Sequence, residues 1–308
     1  MLGGLKAHGK VLLTGEYVVL DGAQAIALPS MFGQSIEILP HGYTAAIKWI
    51  AKDNSQMWFE VFLDFNYDII ETNNPQEAEI LSNILKSARI LSGNYLPFMG
   101  KIVVTDTDYP RAWGLGSSST LIALVALYTG VNPYNLLRYT FGGSGFDVAC
   151  AFASGPILFQ KGKGPTHLTQ SIRIPDSISK YLYFIYSEKK QKSSSEVERY
   201  TSLNQKDRAE AAAEITALSQ NLLKISDISV FRKILDKHEE IISQLIGKPT
   251  LKNQFFSDFP GTIKSLGAWG GDFFLAVSPS VDDVRKYFNS KGLQVIFPYS
   301  EFIYEKRN

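Results

Sequence analysis

Three consecutive serines follow a glycine-rich loop in the first half of this 308-residue chain, and this segment is the one best suited to bind an anion. Pro110–Ser119 reads PRAWGLGSSS and leads into Thr120–Tyr128, an apolar run that predicts a buried helix. Glycines let a backbone approach a ligand, and a helix N-terminus offers unpaired N–H groups at the positive end of its dipole. The residues alone leave two interpretations open, a phosphate-binding loop or a serine N-cap on a core helix.

A second glycine cluster places an acidic side chain at the start of a short helix. Asp147 directly follows the segment SGF, and the small residues of Val148–Ala153 predict the helix. A carboxylate at a helix N-terminus is stabilised in its ionised form, so Asp147 can accept a hydroxyl proton or orient a hydroxyl group. An isolated aspartate at such a position more often serves only as a helix cap.

A third cluster, GAWGGD at Gly267–Asp272, lies between two apolar segments. It predicts either a tight turn between strands or a backbone that passes very close to a ligand. The Gly-Lys-Ser/Thr ending of a Walker A motif is absent from the chain, which disfavours a P-loop nucleotide hydrolase. Each cluster alone is a modest signal, and their order along the chain is the stronger one.

Bulk composition excludes several classes of protein. Hydrophobic residues make up 45% and charged residues 20%, and a net charge of +1 gives no global field to attract nucleic acid or an anionic membrane. The single cysteine, Cys150, excludes an internal disulfide framework and a Cys-rich zinc site, and the four histidines lack metal-ligand spacing. The N-terminus lacks the pattern of a signal peptide, and no run approaches the roughly 18 apolar residues of a membrane span. We therefore expect a cytoplasmic protein.

The elements that must position these clusters alternate between strands and helices, which predicts an α+β fold. The polar stretch Lys161–Pro165 is the best candidate for a domain boundary. Lys10–Leu20 is a β-rich run that a Gly-Glu pair interrupts, and a turn is predicted after it at Asp21-Gly22. Further strands are predicted at Ala25–Leu28, Gln34–Leu39, Ala45–Ile50, Met57–Leu63, Lys101–Thr105, Gly155–Gln160, Tyr181–Tyr186, Phe273–Val277 and Leu293–Phe297. Helices are predicted at Ala78–Leu91, about Lys206–Lys224, Ser229–Ile246 and Val281–Ser290, and a basic loop at Glu188–Ser195.

Three motifs in the same order resemble the GHMP kinases, the superfamily of galactokinase, homoserine kinase, mevalonate kinase and phosphomevalonate kinase. The first is GKVLLTGEYVVLDG at Gly9–Gly22, the second is the complete Pro-x-x-x-Gly-Leu-Gly-Ser-Ser-Ser pattern at Pro110–Ser119, and the third is Gly267–Gly271. The match spans residue 9 to about residue 277. It implies a two-domain fold, with an N-terminal α+β nucleotide-binding domain at 1–160 and a C-terminal ferredoxin-like domain at 161–308.

The resemblance implies transfer of the γ-phosphoryl group of ATP to a hydroxyl or phosphate of a small-molecule substrate, with Mg²⁺ as the metal. The groups implied to hold the phosphates are those of Gly114, Leu115, Gly116, Ser117, Ser118 and Ser119. The Ser118 hydroxyl is implied to lie near the metal. Asp147 matches the catalytic aspartate of the family, and Lys10 matches the lysine that supports it. The stretch Asn66–Gln76 is a candidate for the base pocket.

One departure from the family concerns the metal. No acidic residue occurs from Tyr109 through Phe146, whereas many relatives carry a metal-binding glutamate on a helix just before the catalytic aspartate. The ligands that remain are Ser118, Asp147 and the phosphates themselves, since Mg²⁺ often keeps several waters. Arg138 either substitutes as a charge stabiliser or is a simple surface arginine.

The second and third motifs look closest to phosphomevalonate kinases. Lys189 and Lys192, in the basic loop, are candidates to bind a phosphorylated acceptor, although a solvated basic turn is an equal alternative. Gly270 and Gly271 are implied to lie beside the substrate. Glu16 is implied to shape the substrate wall, in a motif that is largely structural and also contains Asp21.

Mevalonate kinase is the nearest competitor, because the first motif and Asp147 fit it equally well. Either reaction belongs to isoprenoid precursor synthesis. Two alternatives stay open: a diphosphomevalonate decarboxylase, which shares the fold and consumes ATP, and a non-catalytic ligand-binding relative. Only the missing glutamate favours the second alternative. The oligomeric state cannot be inferred from the sequence.

Overall fold

The computed structural model describes residues 5–40, 46–94, 97–163, 166–189, 193–267, 269 and 271–306. Its strands are β1 Leu5–Leu12, β2 Ala25–Pro40, β3 Ile47–Asp53, β4 Gln56–Leu63, β5 Ile69–Thr72, β6 Lys101–Thr107, β7 Ile157–Lys161, β8 His167–Ser171, β9 Leu182–Tyr186, β10 Thr262–Ser265, β11 Phe273–Val277 and β12 Ile296–Pro298. Its helices are α1 Pro75–Leu91, α2 Ser117–Thr129, α3 Pro133–Thr140, α4 Phe146–Ala151, α5 Asp176–Ser179, α6 Ser193–Thr201, α7 Gln205–Leu222, α8 Ile228–Ile246, α9 Leu251–Phe255, α10 Val281–Ser290 and α11 Tyr299–Phe302. Short 3-10 helices lie at Val18–Asp21 and Arg111–Trp113.

The chain divides into two compact units that interleave in sequence. The first unit contains the residues up to Gly9 together with Phe32–Arg111 and Leu115–Phe152. The second unit contains Lys10–Met31, Ala112–Gly114 and the residues from Ala153 onward. The division into domains at 1–160 and 161–308 stays a prediction. Both units combine helices with a β-sheet, so the predicted α+β class is confirmed.

The first unit packs α1 to α4 and its strands around one hydrophobic core. Its strands lie in the order β5-β4-β3-β6-β2, with β3 parallel to β6 and the other neighbours antiparallel. Helix α2 has almost no polar face, and Ile122–Ala126 is at most 1% exposed. The predicted buried helix is therefore confirmed, although it begins at Ser117, three residues earlier than expected.

The second unit contains a four-stranded antiparallel sheet in the order β10-β11-β9-β12. In chain order these strands run β9, then helices α7 and α8, then the hairpin β10-β11, then α10 and β12. This is the β-α-β-β-α-β arrangement of ferredoxin-like folds, as predicted. The same unit also contains β7, which pairs with the first residues of β2 on one side and with β8 on the other.

Two strand predictions near the N-terminus are wrong. Val18–Leu20 was expected to continue a strand but forms a 3-10 helix, because Gly15 and Gly22 take φ values of 94° and 87° and turn the chain. The two strands expected between Ala25 and Leu39 are one 16-residue strand, β2. Gly33 lies within β2 because a Cβ there would lie 2.2 Å from the carbonyl oxygen of Ala7, a residue of β1.

The expected basic loop also ends early, because helix α6 begins at Ser193. Helix α3 was not predicted, although Asn132 caps it by accepting hydrogen bonds from two N–H groups and Pro133 opens its first turn. The short strands β8 and β10 were missed as well. Within the described part of the chain, no helix combines the length and apolar character needed to cross a membrane.

Candidate functional site

Two glycines set the conformation of the loop before α2. Gly114 and Gly116 have φ values of 65° and 90°, in the left-handed region that favours glycine. Gly116 is the N-cap residue, and its carbonyl accepts hydrogen bonds from the N–H groups of Ser119 at 3.0 Å and Thr120 at 3.1 Å. The three serines therefore form the first turn of α2 instead of preceding it. The interpretation of a serine N-cap is excluded, because the cap is a glycine.

The first motif supports this loop through Gly9. A Cβ atom on Gly9 would lie 2.9 Å from the carbonyl oxygen of Leu115 and 3.2 Å from that of Phe32, so only glycine lets β1 run this close. The Leu115 side chain is buried and anchors the loop in the core. Lys10 follows on β1 as a half-buried residue. Its predicted support of Asp147 stays a prediction.

A cavity in the first unit adjoins the first-turn serines of α2. It is lined by Gln34, Trp49, Ala51, Lys52, Trp58, Phe59, Glu77, Ile80, Leu81, Thr105, Thr107, Arg111, Ser117, Ser118, Leu121 and Phe141. The Arg111 guanidinium lies 3.4 Å from the centre of the Trp58 ring and donates to Glu77 at 3.1 Å. A flat cationic and aromatic wall beside hydroxyl groups can accommodate a planar base next to phosphates.

None of the described lining residues comes from the expected stretch Asn66–Gln76. The cavity draws instead on β3, β4 and the part of α1 that begins at Glu77. Sequence reasoning missed Trp58 and Arg111 because they are 53 positions apart and only the folded sheet brings them together. The sequence indicated Arg111 only weakly, because an arginine in the segment that precedes the serine loop can have many other roles.

Asp147 is the second residue of α4, as predicted, and its side chain is half-buried. The turn into α4 depends on Gly145, which has a φ of 91° and lies against the ring of Tyr134. The first-turn position places the carboxylate at the N-terminal end of the helix. Arg138 is exposed on α3 and lies 5.7 Å from the centre of the Tyr139 ring.

No group of three or more His, Cys, Asp or Glu side chains among the described residues could hold a metal ion. The two candidate ligands named from the sequence, the Ser118 hydroxyl and the Asp147 carboxylate, both belong to the first unit. Both are of the type that Mg²⁺ prefers, and Mg²⁺ commonly binds through one or two carboxylates plus the phosphates of its nucleotide. The donor set therefore suits a metal that arrives with a nucleotide.

Glu16 lies in a buried network of charged side chains in the second unit. Its carboxylate is fully buried and forms an ion pair with Lys264, which also contacts Glu239 at 3.1 Å. His238 Nε2 accepts a hydrogen bond from the N–H of Gly15 at 3.0 Å and lies 3.2 Å from Glu16. These contacts tie the first motif to β10, the strand before the third motif. The predicted contact of Glu16 with substrate stays a prediction, and its complete burial favours a structural role.

Asp21, the other acidic residue of the first motif, also has a structural setting. Its carboxylate accepts hydrogen bonds from the Tyr200 hydroxyl and from Arg208 at 3.1 Å. Tyr200 in turn stacks on Tyr17, with ring centres 5.5 Å apart. These contacts hold the 3-10 helix of the first motif against α6 and α7.

Burial shifts the titration of the network residues in different directions. Burial raises the pKa of Glu16 to about 7, although Lys264 opposes the shift. Burial lowers the pKa of His238 well below its usual value, and the charge of Lys264 lowers it further. Burial also lowers the pKa of Lys264, but Glu16 and Glu239 outweigh it and the net shift is upward.

These shifts predict opposite pH dependences for two variants. Glu16 binds its proton more tightly when folded, so its contribution to stability is lost as the pH rises from about 4.5 through 7. His238 binds its proton less tightly when folded, so its contribution is lost as the pH falls below 6.5. Between pH 4.5 and 6.5, the unfolding free energy of Glu16→Gln should rise with pH, because only the contribution of His238 remains. That of His238→Gln should fall with pH, because only the contribution of Glu16 remains. Each slope is at most about 1.4 kcal/mol per pH unit.

Urea unfolding at several pH values between 5 and 7 measures both slopes. The wild-type protein is the control and should show a smaller slope than either variant, because the two contributions oppose each other there. Slopes of the same sign in the two variants would contradict the opposite pKa shifts of Glu16 and His238.

Gly15 joins the first motif to this network, and its replacement should be costly. Its φ is 94°, and a Cβ would lie 2.5 Å from the Cβ of Ala25. We expect Gly15→Ala to lower the unfolding free energy by about 2 to 4 kcal/mol, from left-handed strain and overpacking together. The control is Gly247→Ala, where φ is 63° and no described atom lies within 4 Å of a Cβ. That variant should lose only about 1 to 2 kcal/mol in urea unfolding, from left-handed strain alone, and an equal loss in the two variants would refute the overpacking.

The described residues of the third motif lie between β10 and β11, the paired strands of a hairpin, as expected for a connection between strands. Trp269 is buried there, its backbone N–H donates to the Tyr17 hydroxyl at 3.0 Å, and its indole N–H donates to the Pro249 carbonyl at 3.1 Å. Gly271 is buried beside it. Gly270 lies outside the described residues. The predicted contacts of both glycines with substrate stay predictions.

Lys189 lies at the edge of a second cavity, of about 250 Å³, in the second unit. Its ammonium group is 4.0 Å from the centre of the Phe255 ring. Lys291 and Ser187 line the same cavity, and sequence reasoning missed Lys291 because it is about 100 positions away. Lys192 lies outside the described residues, so a role in binding a phosphorylated acceptor stays a prediction for both lysines.

Comparisons with known proteins place this geometry in a known fold. No protein-family model matches the chain, and no curated protein matches it in sequence. Among solved structures, Methanococcus jannaschii mevalonate kinase matches at a TM-score of 0.69 and 21% identity over 96% of each chain. Streptococcus pneumoniae phosphomevalonate kinase in complex with phosphomevalonate and AMPPNP matches at 0.69 and 16% identity, over 96% of this chain and 99% of that one.

Lactococcus lactis galactokinase complexed with galactose matches at a TM-score of 0.67 and 12% identity, over 96% of this chain and 92% of that one. All three are kinases of the superfamily that the motifs resemble, and each match covers nearly the whole of both chains. The chain therefore has the fold of the GHMP kinases.

Proposed function

We propose that this chain is an ATP-dependent kinase of the GHMP superfamily that phosphorylates a small metabolite. The observation that carries the proposal is the loop at Gly114–Ser119, in which two left-handed glycines lead into a buried helix whose first turn bears three serines. Such a helix start offers N–H groups and a positive dipole end to phosphate oxygens. The fold and the order of the three motifs support the same conclusion.

The proposed chemistry is in-line transfer of a phosphoryl group, which depends on positioning and on neutralising charge. In this proposal, the loop at Gly114–Ser119 holds the phosphates through its backbone N–H groups as far as Ser118 and through its serine hydroxyls, and the Ser118 hydroxyl is a metal ligand. Mg²⁺, when bound, neutralises the charge of the phosphates. Asp147 accepts the proton of the acceptor hydroxyl or orients that group, and Lys10 stabilises the charge that develops on the phosphoryl oxygens.

The cavity beside the serines is the proposed site of the nucleotide base. It lies in the same unit as Ser117 and Ser118, which it includes in its lining. Trp58 and Arg111 provide a stacking surface, and the Glu77 carboxylate can accept a hydrogen bond from an exocyclic amino group such as that of adenine. This arrangement supports ATP as the phosphoryl donor.

Mevalonate and phosphomevalonate are the proposed acceptors, which would place the reaction in isoprenoid precursor synthesis. Three observations support them over other small metabolites. The second and third motifs look closest to phosphomevalonate kinases, and two of the matched structures are a mevalonate kinase and a phosphomevalonate kinase. Lys189 and Lys291 in one cavity also suit an acceptor that already carries a phosphate.

An acceptor screen tests this proposal. The purified protein is given Mg-ATP with mevalonate, phosphomevalonate, homoserine, galactose or diphosphomevalonate, and ADP release and carbon dioxide are both measured. We expect mevalonate or phosphomevalonate to stimulate ADP release without carbon dioxide. Carbon dioxide from diphosphomevalonate would identify a decarboxylase instead. If none of the acceptors stimulates ADP release, the kinase assignment is refuted and a non-catalytic relative is favoured.

A further inference from the structure

The second unit contains a further cavity, of about 610 Å³, and we propose that it binds a small aromatic carboxylate. Residues of α8, of α10 and of the loops at the open end of the β10-β11 hairpin line it. Its volume is within the range of about 300 to 1,000 Å³ that small-molecule sites commonly have. It shares no described lining residue with the cavity beside the serines or with the cavity at Lys189. The carboxylate is therefore a ligand distinct from the nucleotide and the acceptor of the proposed reaction.

The cavity lies at the end of the hairpin that is opposite the third motif. Thr262 pairs with Val277 at this end, and the neighbouring residues Gly261 and Ser278 line the cavity. The third motif connects the other ends of the same two strands. Strand β10 has four residues, which at about 3.3 Å per residue separate its two ends by about 13 Å. A small ligand in the cavity is therefore separate from the third motif.

One face of α10 forms a wall of the cavity. This wall consists of Asp283, Lys286, Tyr287 and Ser290, and their spacing of three, four and seven residues places them on one side of the helix. The Tyr287 hydroxyl donates a hydrogen bond to Asp258, which fixes the position of the ring. Lys286 is exposed and supplies a cation to this wall.

A second, apolar wall is formed around Phe259. The Phe259 ring centre lies 5.0 Å from that of Tyr287 and 5.2 Å from that of Phe288, so the two rings of the cavity pack on each other. A Cβ atom on Gly261 would lie 2.3 Å from the Val277 carbonyl oxygen and 2.4 Å from the Phe259 ring, so only glycine fits beside this wall. The apolar surface is thus formed before a ligand binds, and it suits contact with another aromatic ring.

Arg232 is the lining residue best suited to bind a carboxylate. Its Nη2 donates to the Pro260 carbonyl at 3.0 Å, and its Nε donates to the Thr262 hydroxyl at 3.3 Å. These two bonds hold the guanidinium in place and use two of its five N–H groups. No other described residue accepts from the remaining three. A guanidinium held in this way can bind a carboxylate through two parallel hydrogen bonds.

The charges of the lining favour an anion over a cation. Arg232 and Lys286 are its cations, and Asp283 is the one acidic residue among the described lining residues. Asp236 also lies near Arg232, but it is outside the lining and accepts a hydrogen bond from the Thr262 hydroxyl at 3.2 Å. An aromatic carboxylate contacts both the cations and the apolar wall, whereas an inorganic anion contacts only the cations.

Calorimetry with 2-naphthoate tests this assignment, with no nucleotide present. We expect one site per chain and a dissociation constant of about 1 mM or lower, which corresponds to a modest binding energy per ligand atom. The neutral 2-naphthamide and the non-aromatic acetate should each bind at least about tenfold more weakly. The amide lacks the charge that the cations recognise, and acetate lacks the ring.

Two substitutions in the lining locate the site. Arg232→Gln should weaken the binding of 2-naphthoate by at least about tenfold, and Lys286→Gln by at least about threefold. Because Lys286 is exposed, its substitution leaves the fold intact and decides the question if Arg232→Gln does not fold. The control is Arg285→Gln, which removes the same charge from the neighbouring position of α10. Arg285 is exposed and does not line the cavity, so the affinity should change by less than about twofold.

Three outcomes would overturn the assignment. One is a wild-type protein that does not bind 2-naphthoate, and another is equal affinity for 2-naphthamide. The third is binding that survives in Lys286→Gln but is lost in Lys189→Gln, which would assign the ligand to the other cavity of the second unit. Each of these outcomes leaves the kinase proposal intact, because the experiment contains no nucleotide and no phosphoryl acceptor.

Discussion

Replacing Asp147 with asparagine is expected to lower the turnover number by about 10² to 10⁴-fold, the range that a positioned proton acceptor contributes. Asparagine keeps the size of the side chain at the start of α4 but cannot accept the proton of the acceptor hydroxyl. The affinity for nucleotide should change little, because the loop at Gly114–Ser119 is untouched. Steady-state kinetics with the best acceptor, together with calorimetry of nucleotide binding, measure both quantities.

A matched control for this substitution is Asp282→Asn. Asp282 is also an aspartate in the first turn of a helix, α10, but it is exposed and belongs to no proposed site. It should show wild-type turnover. An Asp147→Asn enzyme with more than about a tenth of wild-type turnover would remove Asp147 from the proposed chemistry.

Replacing Lys264 with methionine should lower the unfolding free energy by about 3 to 5 kcal/mol. Lys264 is fully buried and is paired with Glu16 and Glu239, so its loss leaves two carboxylates in the interior without their cation. Adding Glu16→Gln and Glu239→Gln to the same protein should recover a large part of the loss, since the uncompensated charges are then gone. Urea unfolding of the single and triple variants measures both effects.

The control for this prediction is an exposed ion pair that is also formed by a lysine and a glutamate. Lys206 contacts Glu210 at 3.8 Å on the surface of α7, and both side chains are largely exposed. Lys206→Met should change the unfolding free energy by less than about 0.5 kcal/mol. A loss below about 1 kcal/mol in Lys264→Met would show that the buried pairs contribute no more than a surface pair.

Local signals in the sequence predicted those parts of the fold that depend on neighbouring residues. Helix α8 was predicted within one residue of its start, and the structure shows that Asp227 caps it and that it ends at Gly247 in a left-handed conformation. The serine loop and the short helix at Asp147 were found in the same way. Each of these features is defined within about ten consecutive residues, so a single sequence contains the information.

Features that join distant parts of the chain could not be predicted from one sequence. Glu16 and Lys264 are 248 positions apart, and nothing near either residue indicates that the other will neutralise it. Two other contacts also join residues that are far apart in the sequence: Gly114 with Asp272, and Arg111 with Trp58. The sequence motifs made the segments of Gly114 and Asp272 candidates for ligand binding, but only the fold shows that the two residues touch.

The central claim is that the loop at Gly114–Ser119 holds the phosphates of ATP for transfer to a small acceptor. The most direct test follows a label on the γ-phosphoryl group of ATP during incubation with the wild-type protein, Mg²⁺ and mevalonate or phosphomevalonate. The account predicts that the label moves to one of these acceptors and that ADP forms in equal amount. Label that stays on ATP or appears only as inorganic phosphate, with every acceptor of the panel, would contradict it.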